Sequence, residues 1–346
     1  MRDVLEQLDQ WRKSEQEIAV TTVVETWGSA PRPVGSKMIT TAAGGIAGSV
    51  SAGCVEGAVI QEAQSVMETG KPSLIEYGVA DESAWEVGLA CGGKIKVFIE
   101  PGWTLDSIYQ ALENNLRQGK PFVTVTIVEG EANILNKKLL IQTDGNYIGD
   151  LFLPENAEFS VDKALEFLES EKSGTLTFPD GTKVFFEAYP PPPRLIIIGA
   201  VHLAEPLIAI ASASGFETIL IDPREAFATR ERFPHVDKLI QKWPQEGLES
   251  LSLDSSAYVV VLTHDPKVDD PALQMSLNSK ARYVGGLGSR RTNQKRLERL
   301  RKAGLTEDKL SKLHAPIGLD LGGRLNSEIA ISIMAEIVQI RNEKNR

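Results

Sequence analysis

The stretch that decides the fold is Leu195-Ile196-Ile197-Ile198, followed directly by Gly199-Ala200-Val201-His202-Leu203-Ala204. An unbroken apolar run is expected of a parallel strand that is buried on both faces of a sheet. A helix pattern continues to about Ser214-Gly215, and a second apolar strand, 218–221, ends at Asp222. An acidic residue at this point, where it can reach a ribose hydroxyl, is typical of a Rossmann unit. We therefore expect a Rossmann-like, doubly wound parallel sheet over residues 194–346.

The glycine fingerprint of this unit is incomplete, because its third position is Val201. A glycine there normally lets the backbone approach a bound pyrophosphate, so the valine argues against ordinary NAD binding. An oxidoreductase that uses NAD(P) or a flavin stays open as the alternative function. Gly199 and Asp222 would then contact the nucleotide.

A second candidate site follows the strand predicted at 283–288. Ser289 is placed to cap the next helix, which begins with Arg290 and Arg291. Glycines, a capping serine and two arginines at a helix N-terminus favour the binding of a phosphate group. The later basic residues of this helix, which include Arg296, are expected to form a solvated face.

Four successive prolines, 190–193, mark the boundary between two domains. Such a run forms an extended spacer and blocks the continuation of helix and sheet. Residues 1–189 are predicted to form an N-terminal α+β domain, because short strand and helix patterns alternate there. The whole chain is therefore expected to be an α/β protein with its Rossmann-like domain at 194–346.

The N-terminal domain contains two similar stretches, which indicate an internal duplication of residues 18–101 and 120–189. Lys37 to Gly48 aligns with Lys138 to Gly149, and each copy is predicted as strand, hairpin, helix and strand. The alternative is a chance similarity between two β-hairpins. Only the first copy has cysteines and the loop 27–35 with Arg32, which favours a functional role for those segments.

The two cysteines lie in glycine-rich segments, Ser51-Ala52-Gly53-Cys54-Val55-Glu56-Gly57 and Leu89-Ala90-Cys91-Gly92-Gly93. Glycine allows the backbone to bring a thiol close to a ligand. The apolar pattern after Cys54 predicts an amphipathic helix that stops at Gly70, and a helix N-terminus favours the thiolate form of a cysteine. The alternative for each cysteine is a small buried hydrophobic residue.

Composition and charge exclude several classes of protein. The net charge of −10 argues against a generally basic, nucleic-acid-binding surface. The N-terminal segment is charged, unlike a signal peptide, and no apolar run approaches the roughly 18 residues needed to cross a membrane. We therefore expect a cytoplasmic protein with reduced thiols. Two cysteines cannot hold an iron–sulfur cluster, which normally takes four ligands, so a multi-cluster redox enzyme is excluded.

Eight short motifs are spread along nearly the whole chain. In the N-terminal domain they are Glu25 to Lys37, Gly48 to Gly57 and Leu89 to Gly93. In the second domain they are Gly199 to Ala204, Asp222-Pro223-Arg224, Thr263-His264-Asp265, Gly288-Ser289-Arg290-Arg291 and His314 to Asp320. Together these stretches resemble the xanthine dehydrogenase accessory factor family (XdhC/CoxI). The chain departs from the family pattern at Val201, where family members usually carry glycine.

The resemblance implies a chaperone that binds the molybdenum cofactor (molybdopterin) and protects it during sulfuration by a cysteine desulfurase. It also implies delivery to a xanthine dehydrogenase-type molybdoenzyme by an accessory protein that is not itself the catalytic subunit. We also expect a homodimer.

Thiolates suit a soft metal, and arginines suit phosphates. Cys54 and Cys91 are therefore the candidate thiols on the molybdenum side, with Arg32 and Lys37 balancing charge nearby. The other candidate cofactor-binding residues are Gly53, Glu56, Gly92, Gly93, Gly199, His202, Asp222, Arg224, His264, Ser289, Arg290 and Arg291.

Overall fold

The computed structural model describes residues 1–53, 55–78, 93–102, 106–150 and 157–343. The chain divides into two compact units, Met1–Pro190 and Pro191–Arg346. Within the described residues, no helix combines the length and the apolar character that a bilayer-spanning helix requires.

The first unit contains two five-stranded antiparallel sheets with the same strand order, β3-β2-β1-β5-β4 and β8-β7-β6-β10-β9. Its elements are, in chain order, α1 (Leu5–Lys13), β1 (Ile18–Trp27), β2 (Lys37–Thr41), β3 (Ile46–Gly48), α2 (Glu56–Thr69), β4 (Ser73–Tyr77), β5 (Lys94–Pro101), α3 (Asp106–Arg117), β6 (Phe122–Glu129), β7 (Lys138–Gln142), β8 (Tyr147–Asp150), α4 (Ala157–Ser170), β9 (Gly174–Thr177) and β10 (Lys183–Tyr189). Each sheet is preceded by a helix and has a second helix between its third and fourth strands. This repeated order is what an internal duplication predicts, and it extends to α1 and α3, which the sequence repeat did not include.

The cores of the two halves are built alike. Helix α2 buries Val59, Ala63 and Val66 against the first sheet, and α4 buries Ala164 against the second. Helices α1 and α3 share one further apolar cluster, in which Leu8 and Leu112 are completely buried. Burial of these faces removes apolar surface from water and stabilises the unit.

Two reciprocal buried ion pairs join the two sheets of this unit. The Lys37 side chain is 2 % exposed, and its Nζ donates hydrogen bonds to Glu187 Oε2 at 2.7 Å and to Thr22 Oγ1 at 2.8 Å. Thr22 and Lys37 lie on β1 and β2, whereas Glu187 lies on β10. The lysine of the first half is therefore neutralised by the second half.

The reciprocal pair has the same chemistry. Lys138 Nζ lies 2.9 Å from Glu100 Oε2 and donates to Thr126 Oγ1 at 3.1 Å. Lys138 is the counterpart of Lys37 in the sequence repeat, and Glu100 is the counterpart of Glu187. The two halves therefore exchange equivalent carboxylates across their junction.

Two aligned glycines are required by close packing. Gly48 and Gly149 have φ angles of +76° and +106°. A Cβ added at Gly48 would lie 2.2 Å from the carbonyl oxygen of Lys37, and one at Gly149 would lie 2.3 Å from that of Lys138. Any side chain at either position would collide with backbone, which explains why both halves have glycine here.

The second unit contains a six-stranded parallel sheet in the order β13-β12-β11-β14-β15-β16. Its elements are β11 (Arg194–Ile198), α5 (Ala204–Ala213), β12 (Glu217–Ile221), β13 (Lys238–Ile240), α6 (Pro244–Glu249), β14 (Ala257–Val261), α7 (Pro266–Leu277), β15 (Tyr283–Gly286), α8 (Arg290–Lys302), α9 (Glu307–Leu310), β16 (Leu313–His314) and α10 (Asn326–Glu343). This order is that of a dinucleotide-binding Rossmann sheet, with its switch point between β11 and β14. The prediction of a doubly wound sheet is confirmed.

Helices cover both faces of this sheet. Residues of α5 and α10, including Leu207 and Ile333, pack on one face, and residues of α7 and α8, including Leu273 and Leu300, pack on the other. The register aligns Ile198 with both Ile221 and Val261. The loops after these strands therefore emerge at one edge of the sheet, where ligands bind in open α/β folds.

Candidate functional site

The structure describes the segments on both sides of Cys54, whereas Cys54, Cys91 and Gly92 lie outside the described residues. Helix α2 begins at Glu56 and ends at Thr69, and Gly70 follows it with a φ of +66°. The predicted helix and its glycine stop are therefore confirmed. The roles of the two thiols and of Gly92 stay predictions.

Glu56 holds the loop that leads to Cys54. Its carboxylate accepts hydrogen bonds from Ser49 Oγ at 2.7 Å, from the Ser51 backbone N–H at 2.9 Å and from the Gly53 backbone N–H at 2.8 Å, and it is also bonded to Ser51 Oγ. Burial alone would raise the pKa of this carboxyl, but the hydrogen bonds from Ser51 and Ser49 outweigh it and lower the pKa to about 2. The loop is thus anchored on an ionised side chain at the first residue of α2.

Glu56→Ala is expected to lower the free energy of unfolding by about 1–2 kcal/mol at pH 7, because the backbone N–H groups of Ser51 and Gly53, in the loop before α2, lose their acceptor. The folded-state pKa of Glu56 lies below its ordinary value of 4.5, so this contribution is fully present above pH 4.5 and is lost as the pH falls towards 2. Denaturant titrations at several pH values measure the difference. Glu68→Ala, at an exposed position near the end of α2, is the control. A loss that does not depend on pH would contradict this account.

The loop with Arg32 contacts both cysteine-bearing segments. Arg32 Nε donates to the Ser49 carbonyl at 3.3 Å. Ala30 packs against the apolar cluster that contains Val50 and Val55, the residues near Cys54. A Cβ added at Gly93 would lie 2.7 Å from the Ala30 nitrogen, so only glycine allows this approach. Arg32, Gly53, Glu56 and Gly93 therefore belong to one neighbourhood.

Arg32 also borders a pocket of about 430 Å³, whose lining includes Asp3, Gly35, Ser36 and Ser173. A volume of this size suits a small organic ligand. The Arg32 side chain is 37 % exposed, and its guanidinium lies 3.9 Å from Asp3, so the cation faces solvent rather than a tight ion pair.

Lys37 has a different environment from the one expected. Its backbone carbonyl accepts from the Ser49 N–H at 2.9 Å, but its ammonium is buried against Glu187. We therefore correct the expectation that Lys37 balances ligand charge, and we assign the ammonium to the junction of the two sheets. The sequence repeat already contained this signal, because Lys138 occupies the same position in the half without cysteines.

The carboxylate of Asp222, which follows β12, accepts hydrogen bonds from several groups of the protein. The residue is completely buried and accepts from the Ala200 N–H at 2.7 Å and from Arg224 Nε and Nη2 at 2.9 and 2.6 Å. Burial alone would raise the pKa of Asp222, but the hydrogen bonds from Arg224 and Ala200 lower it below the ordinary value. The expected contact of this carboxylate with a ribose hydroxyl is therefore corrected. An NAD-dependent oxidoreductase loses its best structural support in this chain.

The turn after β11 has the positive φ of a Rossmann turn, but its third fingerprint position is a valine. Gly199 has a φ of +111°, and an added Cβ would lie 2.4 Å from Thr263 Cγ2. The side chain of Val201 is partly buried and packs against the apolar core. The next side chain, His202, is 82 % exposed and lies 3.7 Å from Glu205. His264, after β14, is also exposed.

Ser289 caps α8 as predicted and accepts a hydrogen bond from the Thr292 N–H at 3.1 Å. Arg290 and Arg291 are exposed at this N-terminus, and across the described part of the chain neither has an ion-pair partner. Their positive charge adds to that of the helix N-terminus, which makes this a candidate anion-binding position.

Arg296, one further residue of α8, was predicted wrongly. It is 1 % exposed and donates from Nη2 to Asp269 at 3.0 Å and to the Leu287 carbonyl at 2.9 Å. Asn293, on the same helix face, donates to the Gly288 carbonyl at 3.0 Å. The spacing of Asn293, Arg296 and Leu300 gives them one helix face and is the signal that was missed. These side chains fix the loop that carries Ser289.

Comparison with known proteins identifies the family. Residues 11–78 match the model of the XdhC and CoxI family, and residues 195–337 match that of the XdhC Rossmann domain. A protein of Bacillus subtilis (strain 168), named as a probable xanthine dehydrogenase subunit, is 30% identical over 96% of this chain and 96% of its own length.

Two further relatives cover most of the chain. The molybdenum cofactor insertion chaperone PaoD of Escherichia coli (strain K12) is 27% identical over 93% of this chain and 83% of its own length. A crystal structure from Bacillus halodurans, described as a xanthine dehydrogenase, superposes with a TM-score of 0.79 at 27% identity and covers 99% of this chain and 96% of that one. On these matches, the chain belongs to the XdhC and CoxI family.

Proposed function

We propose that this protein is a chaperone that binds the molybdenum cofactor and inserts it into a xanthine dehydrogenase-type molybdoenzyme. The name of the PaoD relative supports the chaperone role, and the name of the Bacillus subtilis relative supports the type of partner. The structural observation that carries the proposal is the loop 27–35, which contacts the flanks of both cysteines through Arg32 and Ala30.

The chemistry of these residues fits the cargo. In this proposal, Cys54 and Cys91 approach the molybdenum or its labile sulfur, since thiolates bind soft metals. Arg32 supplies the nearby positive charge. In the second unit, Arg290 and Arg291 at the N-terminus of α8 form a cationic position of their own, which suits a phosphate group. The protein as a whole is acidic, with a net charge of −10, and its overall charge repels a polyanion. The exposed arginines provide positive charge locally, where a polyanion can be attracted.

We also propose how sulfuration takes place. The chaperone holds the cofactor while a cysteine desulfurase supplies the terminal sulfur, and it then releases the cofactor to the apo-enzyme. It acts as a cytoplasmic homodimer. Sedimentation velocity on the purified protein tests the dimer, because a monomer would sediment as a particle of 37.8 kDa.

The decisive experiment is Cys54→Ser, with Cys91→Ser in parallel. After co-expression with the pterin biosynthetic pathway, each variant is expected to retain at least about tenfold less molybdenum than the wild type, because a hydroxyl is a poor ligand for a soft metal. Metal analysis of the purified protein measures retention, and activation of the apo-molybdoenzyme measures delivery.

Ser65→Ala, at an exposed position of α2, is the matched control and is expected to behave as wild type. Unchanged retention and unchanged activation in both cysteine variants would refute the role of the thiols. Binding of NADH by the wild type, with no molybdenum retained, would instead favour the oxidoreductase alternative.

A further inference from the structure

Helix α10 is apolar on two faces. Its first apolar face, which includes Ala330, Ile333 and Ile337, is buried in the core of the Rossmann unit. Ile331 and Val338 lie on another face, where they are 51 % and 39 % exposed. A surface helix of a globular protein typically has one apolar face, directed to the core, and polar residues opposite. The second face of α10 therefore has apolar surface that the core does not use.

The exposed face of α10 has three members at helical spacing. Ile331, Ala335 and Val338 are separated by four and three residues, so they follow one another along one side of the helix. Ala335, in the middle, is partly buried and has the smallest side chain of the three. A small residue at a helix contact allows two helices to approach closely, and the larger residues on each side can then pack against the partner.

The loop before α10 extends this apolar surface. Leu319 is held beside Ser332, because its N–H donates to the Ser332 carbonyl at 3.2 Å and its carbonyl is bonded to the Ser332 hydroxyl. The Leu325 carbonyl accepts from the Ile329 N–H at 2.9 Å. Leu319, Leu321 and Leu325 are between 36 and 64 % exposed. We refer to these three leucines, together with Ile331, Ala335 and Val338, as the C-terminal patch.

The size of the C-terminal patch fits an interface between two protein chains. The exposed fractions of its five large residues correspond to about 450 Å² of surface, and functional apolar patches measure about 300–600 Å². An interface of standard size buries about 800 Å² on each partner, and about 65 % of this area is apolar in homodimers. The patch therefore supplies most of the apolar area that one side of a homodimer needs.

The residues of α10 are arranged symmetrically about the point between Met334 and Ala335. Ile331 lies three residues before Met334, and Val338 lies three residues after Ala335. A twofold axis through this point, perpendicular to the helix, places Ile331 of each copy beside Val338 of the other. The exposed face is thus complementary to itself, as the interface of a closed dimer must be.

The charges at the two ends of α10 favour an antiparallel arrangement of two such helices. Glu328 lies in the first turn of α10, and Arg341 lies in the last turn. Antiparallel pairing brings the acidic first turn of each helix to the basic last turn of the other copy, whereas parallel pairing brings like charges together. The helix dipoles favour the same arrangement, because the positive end of each helix then lies beside the negative end of the other.

We propose that the C-terminal patch is the surface through which two copies of this chain associate, with their α10 helices antiparallel. This inference deepens the homodimer of the proposed function, on which it rests, and assigns the interface to the Rossmann unit. Association removes the exposed leucines, Ile331 and Val338 from water, which stabilises the dimer.

The first test measures the dimer dissociation constant of the full-length protein by sedimentation velocity over a range of concentrations. Ile331→Glu and Val338→Glu each place a charge in the patch. Gln339→Glu places the same charge at the next residue, which is exposed and lies outside the patch, and is the matched control. Circular dichroism establishes that each variant is folded.

The wild type and Gln339→Glu are expected to sediment with twice the 37.8 kDa mass of the chain. The dissociation constant of each patch variant is expected to rise at least about 100-fold, because one substitution places two unpaired charges in a single apolar interface.

The second test determines the direction of the two helices by disulfide formation with diamide, in a Cys54→Ser/Cys91→Ser background. Ala335→Cys is expected to cross-link to its own counterpart, because residue 335 lies next to the twofold axis. Val338→Cys is expected not to do so, because antiparallel helices separate it from its counterpart by about 10 Å along the axis, which is too far for a disulfide. A mixture of Ile331→Cys and Val338→Cys proteins should cross-link to each other.

The outcomes separate the surface from the homodimer itself. A wild type that sediments as a monomer at every concentration would overturn both. A dimer that persists unchanged in Ile331→Glu and Val338→Glu would overturn the role of the patch and leave the homodimer in place. Cross-linking of Val338→Cys but not of Ala335→Cys would contradict the antiparallel arrangement. The cofactor role is measured separately, by molybdenum retention.

Discussion

Replacing Glu187 with leucine is expected to lower the free energy of unfolding of the 1–190 unit by about 3–5 kcal/mol. The reason is the ammonium of Lys37, which is 2 % exposed and lies 2.7 Å from this carboxylate. Without Glu187, the nearly buried Lys37 side chain keeps its hydrogen bond to the Thr22 hydroxyl but has lost its carboxylate partner. Peptide-resolved hydrogen exchange in denaturant measures the loss in this unit separately from the Rossmann unit.

The matched control is the double variant Lys37→Met/Glu187→Leu. Removal of both charges leaves no unpaired ion, and well-packed apolar replacements of a buried pair are often neutral or stabilising. We therefore expect the double variant to recover most of the stability lost by Glu187→Leu. A double variant as unstable as the single one would show that packing around residue 187, rather than the charge, causes the loss.

The sequence predicted the halves of this unit better than their junction. Lys37 and Lys138 were aligned from the repeat, and Gly48 and Gly149 were aligned with them, because a β-hairpin with close backbone contact tolerates few alternatives at these positions. The partner of each lysine lies in the other half of the unit, 150 residues away for Lys37 and Glu187. Local pattern cannot indicate such a pairing, and sequence alone therefore places Lys37 beside a ligand.

In the second unit, the strands were predictable because parallel strands buried on both faces are continuous apolar runs. The contacts of the polar residues at the ends of these strands were not predictable from the sequence. Asp222 has the position of a ribose-binding acid, but its carboxylate accepts hydrogen bonds from the Arg224 guanidinium, two residues later. Arg296 was assigned to the solvated face from charge alone, although its helix face is shared with the buried Leu300.

The candidate site around the cysteines was recognisable from sequence for a physical reason. The glycines at 53 and 93 are required for different reasons. Gly53 has a φ of +109°, and the backbone of Gly93 closely approaches that of Ala30. Both needs leave a signature in sequence. The sequence indicated Glu56 only as a candidate cofactor-binding residue. It did not predict that this carboxylate anchors the loop by accepting hydrogen bonds from residues three to seven positions earlier.

Asp269→Ala is expected to destabilise the Rossmann unit by about 3–5 kcal/mol, because it removes the carboxylate that neutralises Arg296. The guanidinium is 1 % exposed and cannot lose its proton in a protein, so its charge stays uncompensated. Arg296 also donates to the Leu287 carbonyl, next to the loop with Ser289. Weaker pyrophosphate binding at Arg290 and Arg291 is therefore expected to accompany the loss of stability.

Arg296→Met is expected to cost less than Asp269→Ala. Burial already raises the pKa of Asp269 above 3.8, although Thr263 and Arg296 oppose it. Without Arg296, this carboxyl is expected to take up a proton and avoid an unpaired buried charge.

A raised folded-state pKa of Asp269 stabilises the folded state below the unfolded value of 3.8, and this contribution is lost as the pH rises. The Arg296→Met variant should therefore be closest to the wild type in acid and fall behind as the pH increases, whereas Asp269→Ala should be impaired even at neutral pH. Chemical denaturation of both variants between pH 4 and pH 8 measures this difference, and equal losses at every pH would refute the asymmetry between a carboxyl that can be neutralised and a guanidinium that cannot.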